Sequence, residues 1–297
     1  MKNSIIMQIN YAERPGGGFG RLSIDDVCAR AASLGFSGIE FREKIPASLP
    51  IPTFREYVQA IADAKKKYGL TDILFGISTR ECANPDASVR ASCIADTLEK
   101  ARIMREIGGA EVCNASANWI SSPVPGVPGD SYEFHGSIAA TERDWALTVD
   151  TYGQIARELE TIGLRFAFET HMGYIHDLPS TARRLIDAVG SSALGINLDY
   201  GNTVYFPNRP SLEEAIDICG DKLFYTHLKN SVAVRGTNKR MPTALSQGEI
   251  NHCAYLEKLE DIGYAGPIGI EAPRPGDRWF YAKEDMAYMT YLLSLFD

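Results

Sequence analysis

Residues 158–171 read ELETIGLRFAFETH, and this stretch holds the unit on which the fold depends. An amphipathic segment ends at Gly163, an apolar run extends from Leu164 to Phe168, and the carboxylate of Glu169 closes that run. A glycine at such a junction can adopt the left-handed backbone that ends a helix without a Cβ clash. The pattern predicts a helix, a glycine turn and a buried strand with an ionisable last residue.

The same unit recurs along most of the chain. Seven predicted helices are followed by a glycine and then a strand, with the glycines at Gly35, Gly69, Gly108, Gly163, Gly190, Gly220 and Gly263. Four predicted helix starts show the capping-box pattern, at Ser23/Asp26, Thr53/Glu56, Thr141/Asp144 and Ser211/Glu214. The resulting eight predicted strands are Ser4–Ile9, Ser37–Phe41, Thr71–Ile77, Ala110–Ala115, Leu164–Glu169, Ala193–Asp199, Lys222–His227 and Pro267–Glu271.

This alternation of strands and helices sets the fold class. It implies a parallel sheet with right-handed crossovers, and eight such units in 297 residues have the size of a (β/α)₈ TIM barrel. A doubly wound open sheet is the alternative, but such folds usually carry a Gly-rich phosphate loop after the first strand. Residues 15–20, PGGGFG, lack that loop's glycine spacing and are interpreted as a flexible loop. With no linker or internal repeat, we expect a single domain over residues 1–297.

Composition and charge restrict the class of function. Hydrophobic residues make up 45% of the chain and charged residues 23%, as in ordinary globular proteins. Thirty Lys+Arg against 38 Asp+Glu give a net charge of −8, which argues against a general nucleic-acid or membrane-surface binder. The sequence predicts neither a membrane span nor a secretory signal, and its six cysteines include no CxxC pair. We therefore expect a cytoplasmic protein that acts on a small molecule.

Ionisable residues close the last four predicted strands, and they are Glu169, Asp199, His227 and Glu271. Any one of them alone is more often a solvated loop residue, but four in succession favour a shared site. In a closed barrel these strand ends lie side by side on the face that carries active sites. Three carboxylates would repel one another there unless a cation or protons neutralised them. Together with one imidazole they suit Mn²⁺, Mg²⁺ or Co²⁺, with Zn²⁺ as a further candidate.

Other polar residues at strand ends are candidates for contact with substrate. His171 shares strand parity with Glu169, and Lys229 shares it with His227, so both can face the barrel mouth. The alternative for each is a solvent-facing position. Glu40 ends the second predicted strand and either binds substrate or holds a neighbouring strand.

Two long insertions follow predicted strands, at residues 119–140 and 230–248. Loops of this length at the strand C-terminal face are commonly lids or substrate walls. Trp119 in the first insertion is a candidate for stacking on a sugar, or else packs within the protein. Arg235 and Arg240 in the second are candidates for clamping a phosphate or carboxylate, or else are solvated loop residues.

The strand-end segments resemble the xylose-isomerase-like superfamily of sugar isomerases and epimerases, whose members are (β/α)₈ barrels. The matching segments are Arg165–Glu169, Ile196–Asp199, Tyr225–Lys229 and Gly269–Glu271, and residues 247–251 and 263–267 resemble the start of that family's last helix and strand. The resemblance implies that Glu169, Asp199, His227 and Glu271 bind a divalent metal. It also implies that Glu169 and Glu271 transfer protons on a hydroxy-ketone through a metal-stabilised enediolate.

One position departs from this family. Asn202 stands where many members carry a histidine three residues after the metal-binding aspartate, and in the ketose 3-epimerases that histidine contacts substrate. Asn202 is therefore retained as a candidate substrate contact. His171-Met172-Gly173 resembles the inosose and dehydroshikimate dehydratase branches, in which a histidine near the metal-binding glutamate protonates the leaving hydroxyl.

These features predict a metal-dependent isomerase or epimerase of a sugar or polyol ketone, with a dehydratase of an inosose- or dehydroshikimate-like substrate as the alternative. Five histidines and a negative charge disfavour the endonuclease branch, which gathers several zinc ions with many histidine ligands. A non-catalytic sugar-binding barrel is disfavoured because none of the four ligands is missing. The resemblance also implies a homodimer or homotetramer.

Overall fold

The computed structural model describes residues 2–14, 18–237, 239–271 and 274–296, so part of the predicted loop at 15–20 lies outside the described residues. Eight strands form the barrel, and their bounds are Ile5–Gln8 (β1), Gly38–Arg42 (β2), Asp72–Ser78 (β3), Val112–Ser116 (β4), Arg165–Glu169 (β5), Leu194–Asp199 (β6), Leu223–Leu228 (β7) and Ile268–Ile270 (β10). The barrel closes in the order β1-β10-β7-β6-β5-β4-β3-β2. Each lies within two residues of its predicted bounds, and the (β/α)₈ barrel is confirmed.

Helices follow the strands along the chain. Their bounds are Ile24–Ser33 (α1), Phe54–Tyr68 (α2), Ala87–Glu106 (α3), Glu142–Ile162 (α4), Pro179–Val189 (α5), Tyr200–Thr203 (α6), Leu212–Cys219 (α7), His252–Asp261 (α8) and Arg278–Leu293 (α9). The four predicted N-caps are confirmed, because the side chains of Ser23, Thr53, Thr141 and Ser211 each accept a backbone N–H three residues on. Among the described helices, none is both long and apolar enough to cross a membrane.

Glycine ends several helices as predicted, with one exception. Gly69, Gly163 and Gly190 cap α2, α4 and α5 with φ between +68° and +72°. The prediction for Gly108 was wrong, because the left-handed residue after α3 is Gly109, with φ +69°. Gly108 instead lies where a Cβ would be 2.7 Å from the carbonyl oxygen of Met104, so close packing explains this glycine.

Close Cα neighbours group the chain into two compact units. The first comprises residues 1–75, 103–110 and 227–297, and it contains β1, β2 and β10. The second comprises residues 76–102 and 111–226, and it contains β4, β5 and β6. The boundaries between the units fall inside β3 and β7. Because each of these strands is continuous, we propose that the chain forms a single domain.

The two predicted insertions take different forms. Residues 119–140 carry two short 3₁₀ turns and are tied to the loop after β5, since Ile120 N–H donates to the Gly173 carbonyl at 2.9 Å. Trp119 and Tyr174 form an antiparallel bridge at the same place. Residues 230–248 contain an antiparallel hairpin of β8 (Asn230–Ala233) and β9 (Arg240–Thr243), which the sequence does not predict.

Candidate metal site

Two carboxylates stand at the ends of neighbouring strands β5 and β6. Asp199 is fully buried, and its Oδ1 accepts the Asn202 N–H at 3.0 Å, which caps the short helix α6. Glu169 accepts two side-chain amides, Asn114 Nδ2 on Oε2 at 2.8 Å and Asn202 Nδ2 on Oε1 at 3.1 Å. Since each amide donates to a charged oxygen, these hydrogen bonds are of the stronger kind and fix the orientation of the Glu169 carboxylate.

His176 holds the backbone beneath Glu169. Its Nε2 accepts the Ala117 N–H at 3.0 Å, so the neutral ring carries its proton on Nδ1 and donates it to the Glu169 carbonyl oxygen at 2.7 Å. Burial lowers the pKa of His176 to about 4, which keeps the ring neutral near pH 7. One side chain thereby joins the ends of β4 and β5.

The buried imidazole of His227 contacts carboxylates through both ring nitrogens. Its Nε2 lies 2.7 Å from Glu40 Oε2, and its Nδ1 lies 3.3 Å from Glu271 Oε2. Glu40 is 1% exposed and His227 is fully buried. With Nε2–H donating to Glu40, the Nδ1 lone pair is the one available to a metal, an arrangement typical of metal-binding histidines. Glu40 thus meets His227 rather than the open mouth, and its position favours support of His227 over substrate contact.

Glu271 follows β10 directly and is held by donors on both oxygens. Lys229 Nζ lies 3.3 Å from Oε2, and Asn10 Nδ2 donates to Oε1 at 3.3 Å. The Glu271 N–H donates to the Leu228 carbonyl at 2.9 Å, which sets the backbone direction. Lys229 therefore lies beside Glu271 as strand parity predicts, and its charge partly neutralises this carboxylate.

The four predicted ligands come together. Glu169, Asp199, His227 and Glu271 each offer one ligand atom, and these atoms lie within 4.8 Å of one another. Ligands about 2.1 Å from an octahedral ion are at most about 4.2 Å apart, so a closure of a few tenths of an ångström would complete a shell. Three carboxylates and one imidazole match the preferences of hard and borderline divalent cations. The donor set therefore fits a divalent metal.

Aromatic rings form a wall beside Glu169. The Tyr174 ring lies edge-on to Trp119, at a centroid distance of 5.8 Å, and to His171 at 5.4 Å. Trp119 is 42% exposed and covers Gly173, where φ is +83° and a Cβ would be 2.1 Å from the indole. His171 Nδ1 contacts the Met172 carbonyl at 3.0 Å, leaving Nε2 as the nitrogen that can exchange a proton.

The candidate anion clamp in the second insertion is not assembled. Arg235 lies exposed in the turn between β8 and β9. Arg240 forms a salt bridge with Glu249 and donates from Nε to Ser231 Oγ at 2.8 Å. Because Arg240 is paired with Glu249 and Ser231, its contacts favour a structural role.

The model of the xylose isomerase-like TIM barrel family matches residues 28–292. The chain belongs to this family. Its fold is similar to D-allulose 3-epimerase from Methylomonas sp., with 16% identity, 98% of each chain covered and a TM-score of 0.72. The probable 3-DHS dehydratase AsbF from Bacillus anthracis is 14% identical over 97% of this chain and 98% of its own, with a TM-score of 0.72.

Among curated proteins, an uncharacterised protein of Methanocaldococcus jannaschii is 25% identical over 124 residues. That match spans 41% of this chain and 41% of the relative. The structural likenesses show the fold of this xylose isomerase-like barrel.

Three polar residues of this xylose isomerase-like barrel were not predicted to support the site. Asn114 shares strand parity with the end of β4, so period-two alternation could have identified it as inward-facing. Asn10 lies in a 3₁₀ turn after β1, and His176 lies in the loop between β5 and α5. No local sequence signal indicates that either one reaches a ligand. Asn202, predicted to contact substrate, is 1% exposed and donates its amide to Glu169.

Proposed function

We propose that this chain is a divalent-metal-dependent isomerase or epimerase of a sugar or polyol-derived hydroxy-ketone. The observation that carries the proposal is the arrangement of the ligand set. In the strand order β10-β7-β6-β5, Glu271 and Glu169 stand at the two flanks, with His227 and Asp199 between them. A substrate placed against this set would have a carboxylate on each side, as proton removal and return require.

Two carboxylates of the chain would carry out the two proton transfers. Glu169, oriented by Asn114 and Asn202, takes the proton from the carbon beside the carbonyl. Glu271 returns a proton to the opposite face or to the neighbouring carbon, with Lys229 3.3 Å from its carboxylate. A divalent ion held by the four ligands would supply Lewis-acid stabilisation of the charge that develops on the substrate oxygens.

His171 gives the dehydratase alternative its specific support. His171 lies two residues after Glu169 in the chain, and its ring contacts that of Tyr174. Because Nδ1 contacts the Met172 carbonyl, Nε2 is the nitrogen that can donate a proton. Proton removal would begin both reactions. Loss of a hydroxyl protonated by His171 would then complete dehydration instead of isomerisation.

Hydrogen exchange in D₂O tests the proposal. Purified protein loaded with Mn²⁺, Mg²⁺, Co²⁺ or Zn²⁺ would be mixed with a panel of ketoses and inososes, and products followed by NMR. We expect deuterium at the carbon beside the carbonyl together with an isomer, and a loss of about 10²- to 10⁴-fold in Glu169→Gln and Glu271→Gln. The control is Glu99→Gln, an exposed position on α3.

Two outcomes would decide against the isomerase. An unsaturated product with loss of water, abolished by His171→Ala, would establish the dehydratase instead. No exchange with any substrate and any of the four metals would overturn both reactions.

A further inference from the structure

A polar face continues from Glu169 across β4 to β3. The register pairs Gly76 with Asn114 and Ser78 with Ser116 on these neighbouring parallel strands. Strand alternation places Asn114 and Ser116 on one face of β4, and Asn114 is the residue that donates to Glu169 at 2.8 Å. Ser78 and Ser116 therefore lie on the same side of the sheet as the Glu169 carboxylate.

This face is open, unlike the opposite face of the same strands. Gly76, Ser78 and Ser116 are each partly exposed, whereas their neighbours Phe75 and Ala115 are 0% and 1% exposed. Gly76 has no side chain at the position paired with Asn114. These exposures favour extension of a small molecule from Glu169 towards β3.

Arg80 stands at the far end of this face. Its side chain is exposed, and its Nε is 3.4 Å from Ser78 Oγ. Within the described residues Arg80 forms no salt bridge, so no carboxylate of this part of the protein neutralises its charge. A guanidinium in this state presents planar donors suited to a phosphate or carboxylate.

The charges of Glu169 and Arg80 act in opposite directions on the hydroxyl of Tyr174. Burial raises the pKa of its hydroxyl, the charge of Glu169 raises it further, and Arg80 and a hydrogen bond with Ser116 lower it. The antiparallel bridge to Trp119 holds this tyrosine in place.

We propose that Arg80, with the hydroxyls of Ser78 and Ser116, binds an anionic group of the substrate, a phosphate or a carboxylate, at the end remote from the reacting carbons. The inference rests on the proposed function and specifies its substrate class. From β5 to β3 is two strand spacings, about 10 Å, which suits an extended acidic sugar with its carbonyl beside Glu169. The anion is thereby kept away from the three carboxylates of the ligand set.

Calorimetry with matched neutral and anionic probes tests this subsite. D-fructose, D-fructose 6-phosphate and 5-keto-D-gluconate would be titrated separately into Mn²⁺-loaded protein. We expect at least one anionic probe to bind 10-fold or more tightly than D-fructose. Arg80→Gln should weaken that probe about 10- to 100-fold, the range for charge-assisted hydrogen bonds, and leave D-fructose within twofold. The preferred probe distinguishes a phosphate from a carboxylate.

Two variants and one further probe keep the test independent of folding and of catalysis. Arg55→Gln, at an exposed position of α2, should leave every affinity unchanged. Ser116→Ala should weaken the anionic probe alone, by less than Arg80→Gln does. Inorganic phosphate titrated into metal-free protein should bind wild type more tightly than Arg80→Gln.

The outcomes separate this inference from the proposed function. Equal affinities of wild type for neutral and anionic probes, or equal binding of inorganic phosphate by wild type and Arg80→Gln, would overturn the subsite even where Mn²⁺ binds and hydrogen exchange proceeds. Absence of Mn²⁺ uptake and of hydrogen exchange would overturn the proposed function, and phosphate binding to metal-free protein would still report on Arg80.

Discussion

Replacing Glu40 by glutamine should weaken the binding of a divalent metal that Glu40 never touches. Glu40 Oε2 lies 2.7 Å from His227 Nε2, and both residues are buried. The substitution keeps the side-chain volume but removes the charge that holds the imidazole with its proton on Nε2. His227 then loses basicity and orientation at Nδ1, the nitrogen that faces the ligand set.

The size of the effect follows from what the structure shows at this contact. Loss of a partner that orients a metal-binding histidine typically costs 10- to 100-fold in metal affinity. That range corresponds to about 1.4 to 2.8 kcal/mol. Glu40→Ala should cost more, because it also leaves a buried His227 N–H without its acceptor, at about 1 to 3 kcal/mol of folding stability.

Calorimetric titration of Mn²⁺ into metal-free protein at pH 7.5 measures the affinity, and urea unfolding of the same metal-free samples measures the stability. Glu99→Gln, on the exposed face of α3, is the matched control for loss of one carboxylate. A Glu40→Gln protein that bound Mn²⁺ within twofold of wild type would refute the reasoning. So would an equal loss of affinity in Glu99→Gln.

Three further predictions concern stability and the ligand set. Burial lowers the pKa of His176 and His252 to about 4, and the unfolded chain binds these protons near pH 6.5, so stability is full above pH 6.5 and is lost as the pH falls towards 4. Metal-free protein should lose about 2 kcal/mol per histidine between pH 7 and pH 5 in urea unfolding, and equal stability at both pH values would contradict this. Gly173→Ala should destabilise by about 1 to 3 kcal/mol, because φ is +83° and the new Cβ would meet the indole. Gly153→Ala inside α4, with no atom within 4 Å of the new Cβ, should stabilise by about 0.5 to 1 kcal/mol in the same assay. Asn202→Ala should weaken Mn²⁺ binding about 10-fold through loss of its hydrogen bond to a ligand, and calorimetry showing no change would remove that residue from the site.

The barrel could be predicted from the sequence because its signals are local. The cap at Ser23, the glycine turn at Gly163 and the apolar run that ends at Glu169 each lie within a few residues, and repetition of such units implies the parallel sheet. The hairpin of β8 and β9 was not predicted, because it lacks a local signal of this kind. Its strands have four residues each and β9 is largely solvent-facing, so no clear period-two pattern marks them.

Some residues of the candidate site could likewise be predicted from the sequence, and others could not. Asp199 and His227 could be chosen because each closes an apolar run, and a closed barrel brings successive strand ends together. The contact of Glu40 with His227 could not be predicted from the sequence. The position of Glu40 on β2 indicates which way its side chain points, but its partner lies 187 residues further along the chain. The same holds for Asn10, whose contact with Glu271 depends on the path of a turn.

The bridge between Trp119 and Tyr174 has a consequence for anyone who would redesign substrate preference. Ile120 also donates to the Gly173 carbonyl, so the loops after β4 and β5 share backbone hydrogen bonds as well as side-chain packing. A mutant library that randomises residues 119–140 alone would break one side of a shared structure and yield mostly misfolded clones. Libraries that vary residues 119–120 and 171–175 together, and keep Gly173, sample combinations that the backbone can accept.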